Sequence, residues 1–177
     1  MATWIALLRG INVGGKNVLR MADLRADLES LKFKQVRTYI QSGNVVFESS
    51  SKSASSLQKR VADLIEVNHG FRPHVLVLSH ADLLAAVEQN PFPKAVKDPK
   101  TLHFFFLSKP AKSPNVESLD KAKAKTEKYE FTDRVFYLSA PDGIGRSKLA
   151  ANAEKFLGVA TTARNYRTIE KVLDLLE

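Results

Sequence analysis

Three basic segments hold the residues of this sequence best suited to chemistry, and the chemistry they suit is recognition of an anion. The first is Arg9-Gly10-Ile11-Asn12-Val13-Gly14-Gly15-Lys16-Asn17. Against the phosphate-cradling pattern G-x-x-x-x-G-K-[ST] it matches through Lys16, but Asn17 stands where a hydroxyl would hold magnesium. What survives is a weaker expectation: Gly10, Gly14 and Gly15 let backbone amides approach a ligand while Arg9 and Lys16 supply charge. A plain glycine-rich turn explains the same residues. The second segment, Pro141-Asp142-Gly143-Ile144-Gly145-Arg146-Ser147-Lys148, precedes a helix pattern. There Ser147 is placed to cap, the first-turn amides point outward, and Arg146 and Lys148 add full charges where the helix dipole already favours an anion. Lys148 replaces the third glycine of a dinucleotide fingerprint, so that reading falls. The third is Thr161 to Thr168, in which Asn165 is a natural N-cap and Arg164 and Arg167 either grip an anion or pair with Glu170 and Asp174. Gln41, Ser42 and Asn44 offer hydrogen bonds at a turn, and on their own are turn chemistry.

Other chemistries lack residues. With no cysteine there is no thiol nucleophile, iron–sulfur ligation, thiolate zinc site or disulfide framework. His69, His74, His80 and His103 show no metal-site spacing, so neither a metal nor another cofactor is expected. No G-x-S-x-G elbow, Ser/His/Asp set or carboxylate pair is present, and no general base stands out.

These loops need elements to hold them. Residues 3–8 read as a buried strand, and Met21, Leu24, Leu28 and Leu31 recur at helical spacing. Val36 to Ile40 and Asn44 to Phe47 read as two antiparallel strands joined through Gln41-Ser42-Gly43. Leu57, Val61, Leu64 and Ile65 mark a helix, and His74 to Leu78 a strand. The serine run Ser49 to Ser56 reads as a flexible loop before that helix. Ser79-His80-Ala81-Asp82 is a capping-box start for a helix halted at Asn90-Pro91-Phe92-Pro93. The order then repeats: strand 102–107, helix from Val116, strands 129–131 and 135–138, a helix stopped by Gly158, a strand near 159–163, and a last helix bearing Ile169, Val172, Leu173 and Leu176.

The expected fold is therefore α+β: two consecutive ferredoxin-like βαββαβ subdomains with antiparallel sheets, plus a C-terminal helix. The expected division is 1–79, a connecting helix and proline-rich linker at 80–100, and 101–177. Phe104-Phe105-Phe106 invites comparison with a base-stacking sheet, yet consecutive strand residues alternate in face and core packing accounts for them.

Taken together, Leu7 to Asn17, Tyr39-Ile40-Gln41-Ser42-Gly43-Asn44-Val45-Val46-Phe47, Asn90-Pro91-Phe92-Pro93, Gly143 to Leu149 and Thr162-Ala163-Arg164-Asn165-Tyr166 resemble the bacterial family known as domain of unknown function 1697. The likeness spans essentially the whole chain, with Tyr166 where the family pattern favours tryptophan. It implies a two-part α+β fold and a small cytosolic bacterial protein, and carries no activity with it. It also implies that Arg9, Asn12, Lys16, Gln41, Ser42, Asn44, Arg146, Ser147, Lys148, Arg164 and Asn165 form one constellation.

The 177 residues hold 27 Lys and Arg against 19 Asp and Glu, a net charge of +8 that favours anionic partners or simply makes a soluble surface. Apolar runs fall far short of a membrane span, and the N-terminus has no basic stretch ahead of its apolar run, so a cytoplasmic protein with no membrane partner is expected. The leading expectation is a binding protein or enzyme for a small phosphate- or carboxylate-bearing ligand, held in a basic cleft between the halves. Arg146, Arg164 and Lys16 would supply charge, amides near Ser147 a cradle, and Gln41 and Asn44 orientation. The alternative is a non-catalytic RNA- or DNA-binding module.

Overall fold

The alternation of apolar residues along eight short segments produces eight strands, and the 3.6-residue recurrence between them produces six helices. The computed structural model describes residues 1–177. The first βαββαβ run is β1 (Ala2–Arg9), α1 (Met21–Ser30), β2 (Lys34–Tyr39), β3 (Asn44–Ser49), α2 (Ala54–His69) and β4 (His74–Ser79). After α3 (His80–Glu88) and a 3-10 turn at Pro93–Lys97 come β5 (Leu102–Leu107), α4 (Val116–Ala122), β6 (Lys128–Phe131), β7 (Val135–Ser139), α5 (Lys148–Leu157), β8 (Thr161–Asn165) and α6 (Tyr166–Asp174). The two four-stranded sheets run β2-β3-β1-β4 and β6-β7-β5-β8, and every ladder is antiparallel. Both are the ferredoxin-like order. No helix is long and apolar enough to cross a membrane.

The chain divides into two compact units, Met1–Ala85 with Lys171–Glu177, and Ala86–Glu170. In the first, Trp4, Ala6, Leu8, Val45 and Phe47 turn one sheet face toward Leu24 and Leu28 of α1 and Leu57, Val61 and Ile65 of α2. In the second, Phe105, Leu107, Phe136 and Leu138 meet Leu119 of α4 and Leu149, Ala153 and Leu157 of α5. The other face of each sheet is also buried: Ile5, Leu7 and Val46 in one, Phe104 and Tyr137 in the other.

Local chemistry sets the element ends. Ser53 caps α2, its Oγ accepting from the Ser56 N–H at 3.2 Å, and Gly70 closes the helix in the left-handed region. The serine run is thus not a loose loop. Ser49 ends β3, Ser49 Oγ accepts from the Ser51 N–H, and Ser51 Oγ accepts from the Ser53 N–H, so each hydroxyl satisfies an amide two residues on. Ser79 and Asp82 form the expected capping box, with Ser79 N–H donating to Asp82 and Asp82 N–H to Ser79 Oγ. Several strand ends differ from expectation by one or two residues. Ile40 leaves β2 and enters the turn at φ 50°, and β8 begins at Thr161 rather than Val159.

Candidate functional site

Residues 9–17 and the turn at 40–43 meet at one end of the first sheet, where the Asn12 side chain bonds to the turn. Asn12 Nδ2 donates to the Leu19 and Gln41 carbonyls, both at 2.8 Å, and Asn12 Oδ1 accepts from the Leu19 N–H at 2.8 Å. Asn17 Nδ2 donates to the Gly10 carbonyl at 2.9 Å, and the Asn17 carbonyl accepts from the Asn12 N–H at 3.1 Å. Inside that frame Val13-Gly14-Gly15-Lys16 is a tight reversal, closed by Lys16 N–H to the Val13 carbonyl, with both glycines at positive φ. Asn17, the residue that breaks the phosphate-loop pattern, is therefore a loop closure, and α1 starts four residues later on an antiparallel sheet. Asn44 is fully buried, its Nδ2 donating to the Tyr39 carbonyl at 3.0 Å and to Ser42 Oγ at 3.1 Å. Asn12, Ser42 and Asn44 thus build the turn, while Arg9, Lys16 and Gln41 lie on the surface.

The remaining candidates gather at one end of the second sheet. Ala140 N–H donates to the Thr101 carbonyl, which ties the end of β7 to the start of β5, and His103 lies opposite both Leu138 and Asn165 in the ladders. The loop 141–147, the start of β5 and the end of β8 therefore share this edge. Ser147 caps α5, its Oγ accepting from the Ala150 N–H at 3.0 Å. Ser147 N–H donates to the Ile144 carbonyl, and the amides of Gly145, Arg146, Lys148 and Leu149 have no intramolecular partner. Arg146 and Lys148 are exposed, and no carboxylate pairs with either. The nearby Asp142 is engaged elsewhere, accepting from Thr126 Oγ1 at 2.6 Å. Replacing Ser147 by alanine removes the cap, and we expect a loss of about 1 kcal/mol in urea unfolding, with the slope unchanged.

Arg164 and Asn165 lie on opposite faces of β8. Strand alternation puts Arg164 on the face of Phe104 and Asn165 on the helix-covered face. Asn165 Oδ1 accepts from the Thr168 N–H at 2.9 Å and caps α6. Arg164 Nη1 donates to the Ala163 carbonyl at 2.9 Å, and burial pulls its pKa down to about 10, which leaves it charged at neutral pH. Farther along α6, Lys171 Nζ lies 3.0 Å from Asp174.

His103 is a feature the sequence did not single out. It is 5% exposed on the helix-covered side of β5, and its Nδ1 has no hydrogen-bond partner. Burial lowers its pKa, against a smaller raising contribution from the Thr101 backbone. The unfolded chain then binds the proton more readily than the folded one, so stability is full above the ordinary value of 6.5 and is lost as pH falls below it, down to the depressed folded pKa. Urea midpoints measured at pH 7.5 and pH 5.5 should drop more for wild type than for His103→Gln. An equal drop would remove His103 from the acid response.

His69 Nε2 lies 2.6 Å from Asp27 Oδ2, joining α2 to α1, and no three of His, Asp or Glu converge. Phe104, Phe105 and Phe106 are all buried, so none offers a ring for stacking a base. A second feature missed from sequence is a cavity of about 590 Å³ along β6, walled by Tyr129, Phe131, Phe92 and Lys123. Its only sequence signal is the charged and aromatic alternation of β6.

Comparison with known proteins places this geometry in context. A family model described as "Protein of unknown function (DUF1697)" matches residues 1–137. A solved structure, that of the conserved bacterial protein SP0830 from Streptococcus pneumoniae, is 27% identical to this chain, covers 99% of each chain and superposes with a TM-score of 0.72. Among curated proteins, none matches.

Proposed function

The chain belongs to the DUF1697 family, whose function is unknown, and from that premise we propose that it binds a small phosphate- or carboxylate-bearing ligand at the start of α5. The observation that carries this reading is the group of four amides without partners at Gly145, Arg146, Lys148 and Leu149, beside two exposed cations that no carboxylate neutralises. Oriented amides at a helix start concentrate positive potential, and charge-assisted contacts from a guanidinium fork and an ammonium complete an anion's shell. The Ser147 hydroxyl, already spent on the cap, holds the loop in register rather than touching the ligand. Any reaction at such a site would rest on positioning and electrostatic stabilisation, since the neighbouring carboxylate, Asp142, is engaged by Thr126. A cysteine-free chain accords with a cytoplasmic setting, where phosphorylated metabolites are abundant.

The net charge of +8 and the ferredoxin-like order of elements support the nucleic-acid reading. Salt and substitution separate the two. Arg146→Ala should weaken binding of inorganic phosphate or a nucleoside diphosphate about tenfold or more, close to 1.5 kcal/mol, in isothermal titration. The control is Lys121→Ala, whose side chain is 75% exposed and paired with Glu117 on α4. Lys123, which a longer α4 would have placed on the solvent side, is unsuitable: the helix ends at Ala122 and Lys123 Nζ donates to the Glu127 carbonyl. Equal losses in the two variants, with tight and steeply salt-dependent oligonucleotide binding, would favour the nucleic-acid module instead.

A further inference from the structure

Each sheet ends in two edge strands, and they differ in what they present. In the first sheet β2 carries Lys34 and Arg37, with the irregular residue Gln35 between them at φ 50°. Two copies of such an edge would repel. On β4 the Val77 N–H is taken by Gln58 Oε1 at 3.0 Å. In the second sheet β8 carries Arg164 as its only charge. The remaining edge, β6, alternates Lys128, Tyr129, Glu130 and Phe131 beside the open cavity of about 590 Å³.

Register determines which backbone groups β6 offers. Thr132 N–H donates to the Val135 carbonyl at 2.8 Å, which makes 132 and 135 a hydrogen-bonded pair. The ladder continues Phe131 to Phe136, Glu130 to Tyr137, Tyr129 to Leu138 and Lys128 to Ser139. Pairs alternate in an antiparallel ladder, so Lys128 and Glu130 bond to β7, and the N–H and C=O of Tyr129 and Phe131 point out from the edge. Those groups are what a further strand would bind.

We propose that this edge pairs with the same edge of a second copy of the chain, antiparallel, about a two-fold axis through Tyr129. In that register Tyr129 of each copy exchanges both backbone hydrogen bonds with its counterpart. Lys128 then lies directly opposite Glu130 of the second copy, and Glu130 opposite Lys128, in the pairs where side chains approach most closely. Shifting the register to set Tyr129 against Phe131 would bring Glu130 against Glu130, so charge selects one pairing. A wholly acidic or wholly basic foreign strand would set a like charge against Glu130 or Lys128, whereas the chain's own edge meets each with the opposite charge. The Tyr129 ring is already held for such a contact, stacked on Phe136 at 5.3 Å with its hydroxyl donating to Asp120 at 2.6 Å. Lys128 and Glu130 are both exposed, so exchanging them leaves each copy's core untouched.

Sedimentation velocity on the full chain, from micromolar to millimolar concentration, tests the proposal. The expected result is a concentration-dependent species of twice the 19.7 kDa chain mass. Lys128→Glu and Glu130→Lys should each raise the dissociation constant about tenfold or more. Mixing the two variants should restore association, because every cross-strand pair is then again opposite in sign. The doubly exchanged variant should associate as wild type does. A monomer at all concentrations, or a dimer indifferent to the single changes, or no recovery on mixing, would overturn the proposal. Far-UV circular dichroism of each variant confirms that the monomers compared are folded.

Discussion

Replacing Gly43 by alanine should cost about 1–5 kcal/mol of unfolding free energy, among the largest single-residue effects we expect outside the core. Gly43 closes the β2–β3 turn at φ 85°, where an L side chain is strained. Its carbonyl accepts from the Leu8 N–H at 2.8 Å, so the turn is pressed against β1. A Cβ here would sit 2.7 Å from Leu8 Cβ and 2.9 Å from Ile11 Cδ1. Neither neighbour has room to yield, Leu8 being fully buried and Ile11 2% exposed. Overpacking of about 1–3 kcal/mol adds to backbone strain of about 1–2 kcal/mol, against a gain below about 1 kcal/mol from a stiffer unfolded chain. Gly14→Ala is the matched control, with positive φ and nothing within 4 Å. Urea unfolding at constant slope should separate the two variants clearly, and equal midpoints would show that the close approach at Gly43 carries no cost.

Asn12→Ala should cost about 2–4 kcal/mol. Three hydrogen bonds of 2.8 Å are lost at once, and the Leu19 amide and the Leu19 and Gln41 carbonyls lose their protein partner. Leu19 is 1% exposed, so water replaces these bonds poorly. Asn12 also sits at φ 54°, a conformation asparagine tolerates better than alanine. Asn12→Asp keeps the acceptor for Leu19 and discards both donations, and should fall between wild type and alanine. Amide exchange at residues 10–19 and 40–43 should quicken together in Asn12→Ala, since the Asn12 side chain bonds to both segments. Faster exchange confined to residues 10–19 would show that the turn stands without the clamp.

Most of the fold was legible because its signals are local. Leu24 and Leu28, or Leu149, Ala153 and Leu157, announce a helix within one or two turns, and Ser79 with Asp82 or Ser147 marks its start within three residues. Strand order then follows from the βαββαβ sequence of elements. The candidate site was less legible, since its residues act at a distance the sequence does not display. Asn12 was read as a ligand-facing polar group, whereas its partners are 7 and 29 residues away and belong to the backbone. Asn44 and Ser42 likewise close the turn they sit in. Arg164 and Asn165 look like one cluster in sequence, yet period-two alternation alone parts them, and that much could have been read in advance. His103 and the β6 edge carried no motif, because burial and an unpaired edge arise only once neighbours are in place.

The claim at the centre of this account is that an anion binds the amides at the start of α5, and a ¹⁵N–¹H titration with inorganic phosphate at physiological ionic strength tests it most directly. Saturable shifts should appear at Gly145, Arg146, Lys148 and Leu149, persist as sodium chloride is raised, and require about tenfold more phosphate or higher still in Arg146→Ala while that variant's spectrum otherwise matches wild type. Shifts scattered over exposed lysines such as Lys121 and Lys59, or none at the four amides, would contradict it.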